Sequence, residues 1–109
     1  MTVHDRLYQD ISVVAAKEKK DCLLIDIRHI DDYSNDHITN ALHVHSNEVK
    51  DFIAKGDRTK PLLVYCYHGI SSRKFAQYLG ELGFKEVYQL LGGYAAWQKE
   101  AAVAMPKTN

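Results

Sequence analysis

Leu62-Leu63-Val64-Tyr65-Cys66-Tyr67-His68-Gly69-Ile70-Ser71-Ser72-Arg73 contains the decisive pattern. An apolar run of strand length ends in a cysteine, a turn containing Gly69 follows, and small hydroxyl residues open a helical pattern. The stretch reads as strand, loop and helix start, with a thiol at the first loop position. A loop curled over a helix N-terminus turns several backbone N–H groups inward, and the helix dipole adds partial positive charge. A cysteine there is expected to ionise below the free value of roughly 8.5.

The same alternation extends in both directions. Upstream, Tyr8-Gln9-Asp10-Ile11 is a short candidate strand, and Ser12 stands at the N-cap of a helix through Val13 to Lys20. Cys22 to Arg28 is nearly unbroken apolar sequence, which suits a parallel strand covered on both faces. Ile30 to His37 is polar with Ile30 and Tyr33 at helical spacing, and Ala41 to Val44 is a third strand. Ser46 or Asn47 is placed to cap a helix over Glu48 to Lys55, ended by Gly56. Pro61 opens the strand before Cys66, where a missing N–H is tolerated. Downstream, Phe75, Tyr78, Leu79 and Leu82 recur along one helix face. Glu86 to Leu91 is the last strand, Gly92-Gly93 turns, and Tyr94 to Lys99 is a terminal helix. The tail, 101–109, is expected to fray.

Strands and helices alternating without repeats or linkers predict one α/β domain over 1–109, with its core at about 8–100. They imply a mainly parallel five-stranded sheet with helices on both faces. Ligands of such sheets bind beyond the strand C-termini, where Cys66 stands. The 109 residues are 46% hydrophobic and 26% charged, an ordinary globular balance. A formal net charge of +0 gives no footprint for nucleic acid or an anionic membrane. The apolar runs are too short to span a bilayer. Residues 1–6 lack a secretory pattern, so Cys22 and Cys66 are expected to be free thiols in a reducing cytoplasm.

Several pieces together resemble the rhodanese-like sulfurtransferases, and within them the single-domain thiosulfate enzymes. They are Leu24-Ile25-Asp26-Ile27-Arg28, His37-Ile38 with Ala41, the loop from Cys66 to Ser71 with Ser72-Arg73 behind it, and Leu91 to Trp97. One departure is clear: Asp36-His37-Ile38-Thr39-Asn40-Ala41 stands where the family often reads Gly-His-Ile-Pro-Gly-Ala. Asn40 can adopt the left-handed conformation such a turn needs.

The resemblance implies sulfane sulfur transfer from thiosulfate, through a persulfide on Cys66, to cyanide or to a thiol or dithiol such as thioredoxin. It implies no cofactor, and the neutral charge and short apolar runs above imply no membrane and no nucleic acid as partner. Amides of Tyr67, His68, Gly69, Ile70 and Ser71 would converge on the anionic persulfide, much as an oxyanion hole does. Arg73, and His68 when protonated, are the nearest cations for a dianionic donor. Each has a plainer counterpart: His68 as a surface loop residue, Arg73 as the partner of a surface carboxylate, Ser71 and Ser72 as helix caps. Asp26 and Arg28 read better as an ion pair bracing the loop than as substrate contacts. Tyr94 and Trp97 read as core. His37, His43 and His45 lack zinc-type spacing with either cysteine, so no metal is expected.

Two other classes remain open on sequence. Phosphatases and arsenate reductases with related loops follow a Cys-x5-Arg pattern, one residue longer. Here the sixth residue after Cys66 is Ser72, and arginine arrives only at Arg73. A non-catalytic module of the same fold would typically lack the loop cysteine.

Overall fold

Five parallel strands form one sheet in the spatial order β1-β5-β4-β2-β3. The strands are β1 (Gln9–Ile11), β2 (Leu23–Asp26), β3 (Leu42–His43), β4 (Leu62–Tyr65) and β5 (Val87–Leu90). Between and after them run α1 (Val13–Glu18), α2 (Ile30–Asn35), α3 (Asn47–Lys55), α4 (Ser71–Glu81) and α5 (Gly93–Ala104). The computed structural model describes residues 5–104.

The central strand shows why the pattern had no alternation. All four residues of β4 are buried, because helices cover both faces. Leu63 and Tyr65 point into a cluster with Ile11, Ala16, Leu90 and Tyr94. Leu62 and Val64 point the other way, to Ile25, Ala76, Leu79 and Phe84. The two-residue period of a strand thus feeds two apolar layers from one segment. The register sets Asp26 beside Tyr65, so β2 and β4 end together one residue before Cys66.

Local chemistry trims the expected elements. β2 stops at Asp26 because its carboxylate turns back to accept the Arg28 N–H at 2.9 Å. Ser12 caps α1 as expected, accepting from the Ala15 N–H at 3.1 Å, but the helix ends at Glu18. Ser46 has φ +49° and no side-chain capping bond; instead Glu48 Oε1 accepts the His45 N–H at 3.1 Å. Asn40 takes the left-handed conformation, φ +71°, and the Ala41 N–H donates to Ile38 O across that turn. The face of α4 is the expected one in part, since Phe75, Leu79 and Leu82 pack on the core. Its buried stripe is Ser72, Ala76 and Leu79, whereas Tyr78 is exposed. Small residues at 72 and 76 let the helix lie close over the sheet.

The terminal helix is longer than the expected Tyr94 to Lys99. α5 continues to Ala104, through Ala101-Ala102-Val103-Ala104 of good average helix propensity and ahead of Pro106. The rest of the tail, 105–109, lies outside the described residues.

Candidate active site

Cys66 follows β4 directly and is 7% exposed. Its Sγ accepts hydrogen bonds from the Gly69 N–H at 3.1 Å and the Ser72 N–H at 3.3 Å, and Ser72 Oγ lies 3.3 Å away. Burial works against the charged form, but contacts with Ser72 and the amides of Gly69 and Ile70 outweigh it. The thiol is held below its ordinary value. The sulfur also sits where an N-cap oxygen would. Ile70 occupies the N-cap of α4 without a side-chain bond, and Cys66 accepts from the first turn in its place. Ser71 and Ser72 therefore do not act as caps, contrary to expectation. They are the first two residues of the helix itself.

The loop is fixed by close backbone packing. Gly69 has φ +85°, and a Cβ there would lie 2.8 Å from the Gly92 nitrogen. Gly93 has φ +62°, and its Cβ would fall 2.6 Å from the carbonyl oxygens of both Cys66 and Tyr67. That closeness lets the start of α5 hold the loop. Tyr94 N–H donates to Cys66 O at 2.8 Å, and Ala95 N–H to Tyr67 O at 2.9 Å. Beside them, Arg28 pairs with Asp26 at 2.8 Å and donates to Asp36 O at 2.6 Å. Its guanidinium lies 4.1 Å from the Tyr94 ring centroid and 5.9 Å from that of Tyr67. Arg28 is 6% exposed and Asp26 fully buried, so both are committed to structure next to the loop.

A family model described as Rhodanese-like domain matches residues 12–100. The chain belongs to the rhodanese-like family. A protein named thiosulfate sulfurtransferase GlpE from Coxiella burnetii is 47% identical over 95 residues, spanning 84% of this chain and 89% of that relative. A protein of the same name from Shewanella oneidensis is 42% identical over 90 residues, with 83% and 89% covered. Among solved structures, a rhodanese-related protein from Thermoplasma volcanium superposes with a TM-score of 0.78 at 24% identity, covering 91% of this chain and 96% of that one.

The rhodanese loop brings together some of the expected residues and not others. Tyr67 and Ile70 flank the buried sulfur with exposed apolar surface, 43% and 69% accessible. His68 is exposed, its ring tilted against Tyr67, and it lines a hollow with Gly92, Ala95 and Lys99. Arg73 is exposed on α4 and lines a different hollow with Asp5, Arg6 and Tyr8 of the segment leading into β1. The amides bonded to Sγ are those of Gly69 and Ser72 rather than of Tyr67, His68 or Ser71. Among the described residues no three His, Cys, Asp or Glu side chains are grouped to hold a metal ion, and no helix is long and apolar enough to cross a membrane.

Three contributors were not singled out from sequence. Gly93 carried a signal, since a glycine pair before a helix marks a positive-φ turn. Lys99 is a cation on the same side as His68 and had none. Gln89, fully buried in β5, accepts from Ser72 Oγ at 2.7 Å, and its signal was a glutamine inside an apolar strand.

Proposed function

We propose that this rhodanese-like chain transfers the outer sulfur of thiosulfate, through a persulfide on Cys66, to cyanide or a thiol acceptor. The observation that carries the reading is the cysteine sulfur that accepts the Gly69 and Ser72 amides at the start of α4, with its thiol held below the ordinary value. Its relatives named thiosulfate sulfurtransferase favour thiosulfate as donor.

The Cys66 thiolate attacks the outer sulfur of thiosulfate. A new S–S bond forms at Sγ, the bond between the two thiosulfate sulfurs breaks, and sulfite leaves with its electron pair. One negative charge passes from Sγ to the outer sulfur, so no proton is needed. That outer sulfur sits one S–S bond, about 2.05 Å, beyond Sγ. Loop amides outside the contacts with Sγ, those of Tyr67, His68 and Ser71, are the nearest candidates to receive it. Cyanide, or a thiolate, then attacks the outer sulfur and restores the Cys66 thiolate. Lys99 lines a hollow with His68 beside the loop and supplies positive charge for a dianionic donor, to which His68 adds only when protonated. Arg73, which lines a different hollow, acts at longer range or as a surface residue. The reaction needs no cofactor. In a reducing cytoplasm the acceptor would be a small thiol such as glutathione, a dithiol protein such as thioredoxin, or a partner in sulfur relay.

Intact mass of the protein after incubation with thiosulfate tests this. One added sulfur atom is expected, removed by cyanide as thiocyanate forms, and absent from Cys66→Ser. An adduct that persists in Cys66→Ser, or no adduct on the native chain, rejects the assignment.

A further inference from the structure

The sulfur is the end of a hydrogen-bonded line that runs through the protein to the edge of the sheet. Asp10 on β1 and Gln89 on β5 are register neighbours, and Gln89 Nε2 donates to Asp10 Oδ1 at 2.7 Å. Ser72 Oγ donates to Gln89 Oε1 at 2.7 Å, and Cys66 Sγ lies 3.3 Å from Ser72 Oγ. Ser72 and Gln89 are fully buried, so neither has water as an alternative partner.

The direction of every bond in this line follows from its outer end. Asp10 Oδ2 lies 3.4 Å from the Arg6 guanidinium, and an ionised carboxylate can only accept. Gln89 must therefore turn its NH2 toward Asp10, which leaves Oε1 facing Ser72. That oxygen cannot donate, so Ser72 gives its single hydroxyl proton to Gln89. What Ser72 Oγ presents to Cys66 is then a lone pair, which suits a thiol donating to it, so the lowering of the thiol rests on the backbone amides of Ser72, Gly69 and Ile70 rather than on this hydroxyl.

We infer that Asp10 and Gln89 are positioning residues that hold the Ser72 hydroxyl turned away from the reacting sulfur, leaving backbone amides to stabilise the thiolate. The consequence is kinetic, and it rests on the sulfur-transfer reading only for its biological meaning. A thiolate that is stabilised further is more abundant but intrinsically less nucleophilic, and the best attacking thiol ionises near ambient pH. Withholding the hydroxyl keeps the loop from over-stabilising its own nucleophile. It also leaves Ser72 with a partner at the persulfide stage, when Sγ no longer bears the charge.

The test is the pH profile of Cys66 alkylation by iodoacetamide, with the modified peptide identified by mass so that Cys22 does not contribute. In Asp10→Asn, the amide at position 10 can donate to Gln89 Oε1. The Gln89 side chain is then free to reverse, and Ser72 to donate to the thiolate. The midpoint should fall by about half a pH unit, giving roughly threefold more thiolate at any pH below it, the size of one redirected hydrogen bond. The plateau rate should fall as well. Removing the Asp10 charge would also lower the midpoint, so the same substitution is made in a Ser72→Ala background. There the shift should disappear; an equal shift in both backgrounds overturns the inference and assigns the effect to charge. Gln89→Met, which removes the competing acceptor, should lower the midpoint in the same direction, and an unchanged or raised midpoint overturns it. Persulfide loading from thiosulfate is measured on the same samples. Failed loading counts against the proposed reaction, and normal loading with unmoved midpoints against the hydrogen-bond direction.

Discussion

Cys66 is held by backbone amides rather than by a neighbouring cation, and that makes its chemistry depend on the path of the chain. Gly69 shows the dependence most directly. Its amide is 3.1 Å from Sγ, its φ is +85°, and a Cβ would lie 2.8 Å from Gly92 N. Gly69→Ala is expected to cost at least about 1–2 kcal/mol of stability from the left-handed conformation alone. The loop must also shift away from Gly92, which weakens the Gly69 bond to sulfur. The alkylation midpoint of Cys66 should then rise toward that of a free thiol, together with a lower urea midpoint. Stability lost with an unmoved alkylation midpoint would separate the backbone strain from the anion site. At this scale the sequence was readable where the information is local. A cysteine, a turn glycine and a helix start lie within a few residues of one another. Gln89 and Asp10 were not readable as site residues, because they are 79 positions apart and meet only through strand order.

Elements were legible in kind and order, less so in their ends and faces. The i, i+3, i+4 spacing of Phe75, Tyr78, Leu79 and Leu82 marked α4 as a helix. Phe75, Leu79 and Leu82 do pack on the core, whereas Tyr78 is exposed and apolarity alone gives no sign of Ser72 and Ala76 on the buried side. Ser72 and Ala76 face the sheet because they are small, and Ser72 because it has a polar partner there. The start of α5 is a second case. Tyr94 is core, as its place in the pattern predicts, but its hydroxyl also donates to Asp36 Oδ2 across to the turn after α2. Burial and that carboxylate push the Tyr94 phenol up to about 12, above the ordinary value near 10. A phenol raised in the folded state contributes stability that is complete below pH 10 and is lost as pH climbs toward 12. Tyr94→Phe should be somewhat less stable at neutral pH, by about 1 kcal/mol for the lost hydrogen bond. Its urea midpoint should also fall less steeply than that of the native chain between pH 10 and 12. Lysines titrate in the same range in both proteins, so the difference between the two curves isolates Tyr94. Parallel curves would mean the phenol ionises no differently in the folded chain.

For the whole molecule, the alternation of elements was enough to predict a parallel sheet covered on both faces, since each apolar strand must be buried twice. What alternation cannot specify is that both layers hang on one strand. β4 sends Leu63 and Tyr65 into the α1 and α5 side, and Leu62 and Val64 into the α3 and α4 side, while its last residue delivers Cys66 to the loop. A defect on either face should therefore be felt on both and at the sulfur. Leu62→Ala removes a side chain that is 1% exposed in the layer opposite Trp97 and should cost about 2–5 kcal/mol. Trp97 packs against the other layer. If the sheet unites the layers into one cooperative unit, Trp97 fluorescence and far-UV circular dichroism will report the same lowered urea midpoint, with an unchanged slope. If Trp97 instead keeps its native midpoint while the dichroism shifts, the two faces unfold separately. The loop at the end of β4 would then be anchored by the α5 side alone, through the Tyr94 and Ala95 amides that grip Cys66 O and Tyr67 O.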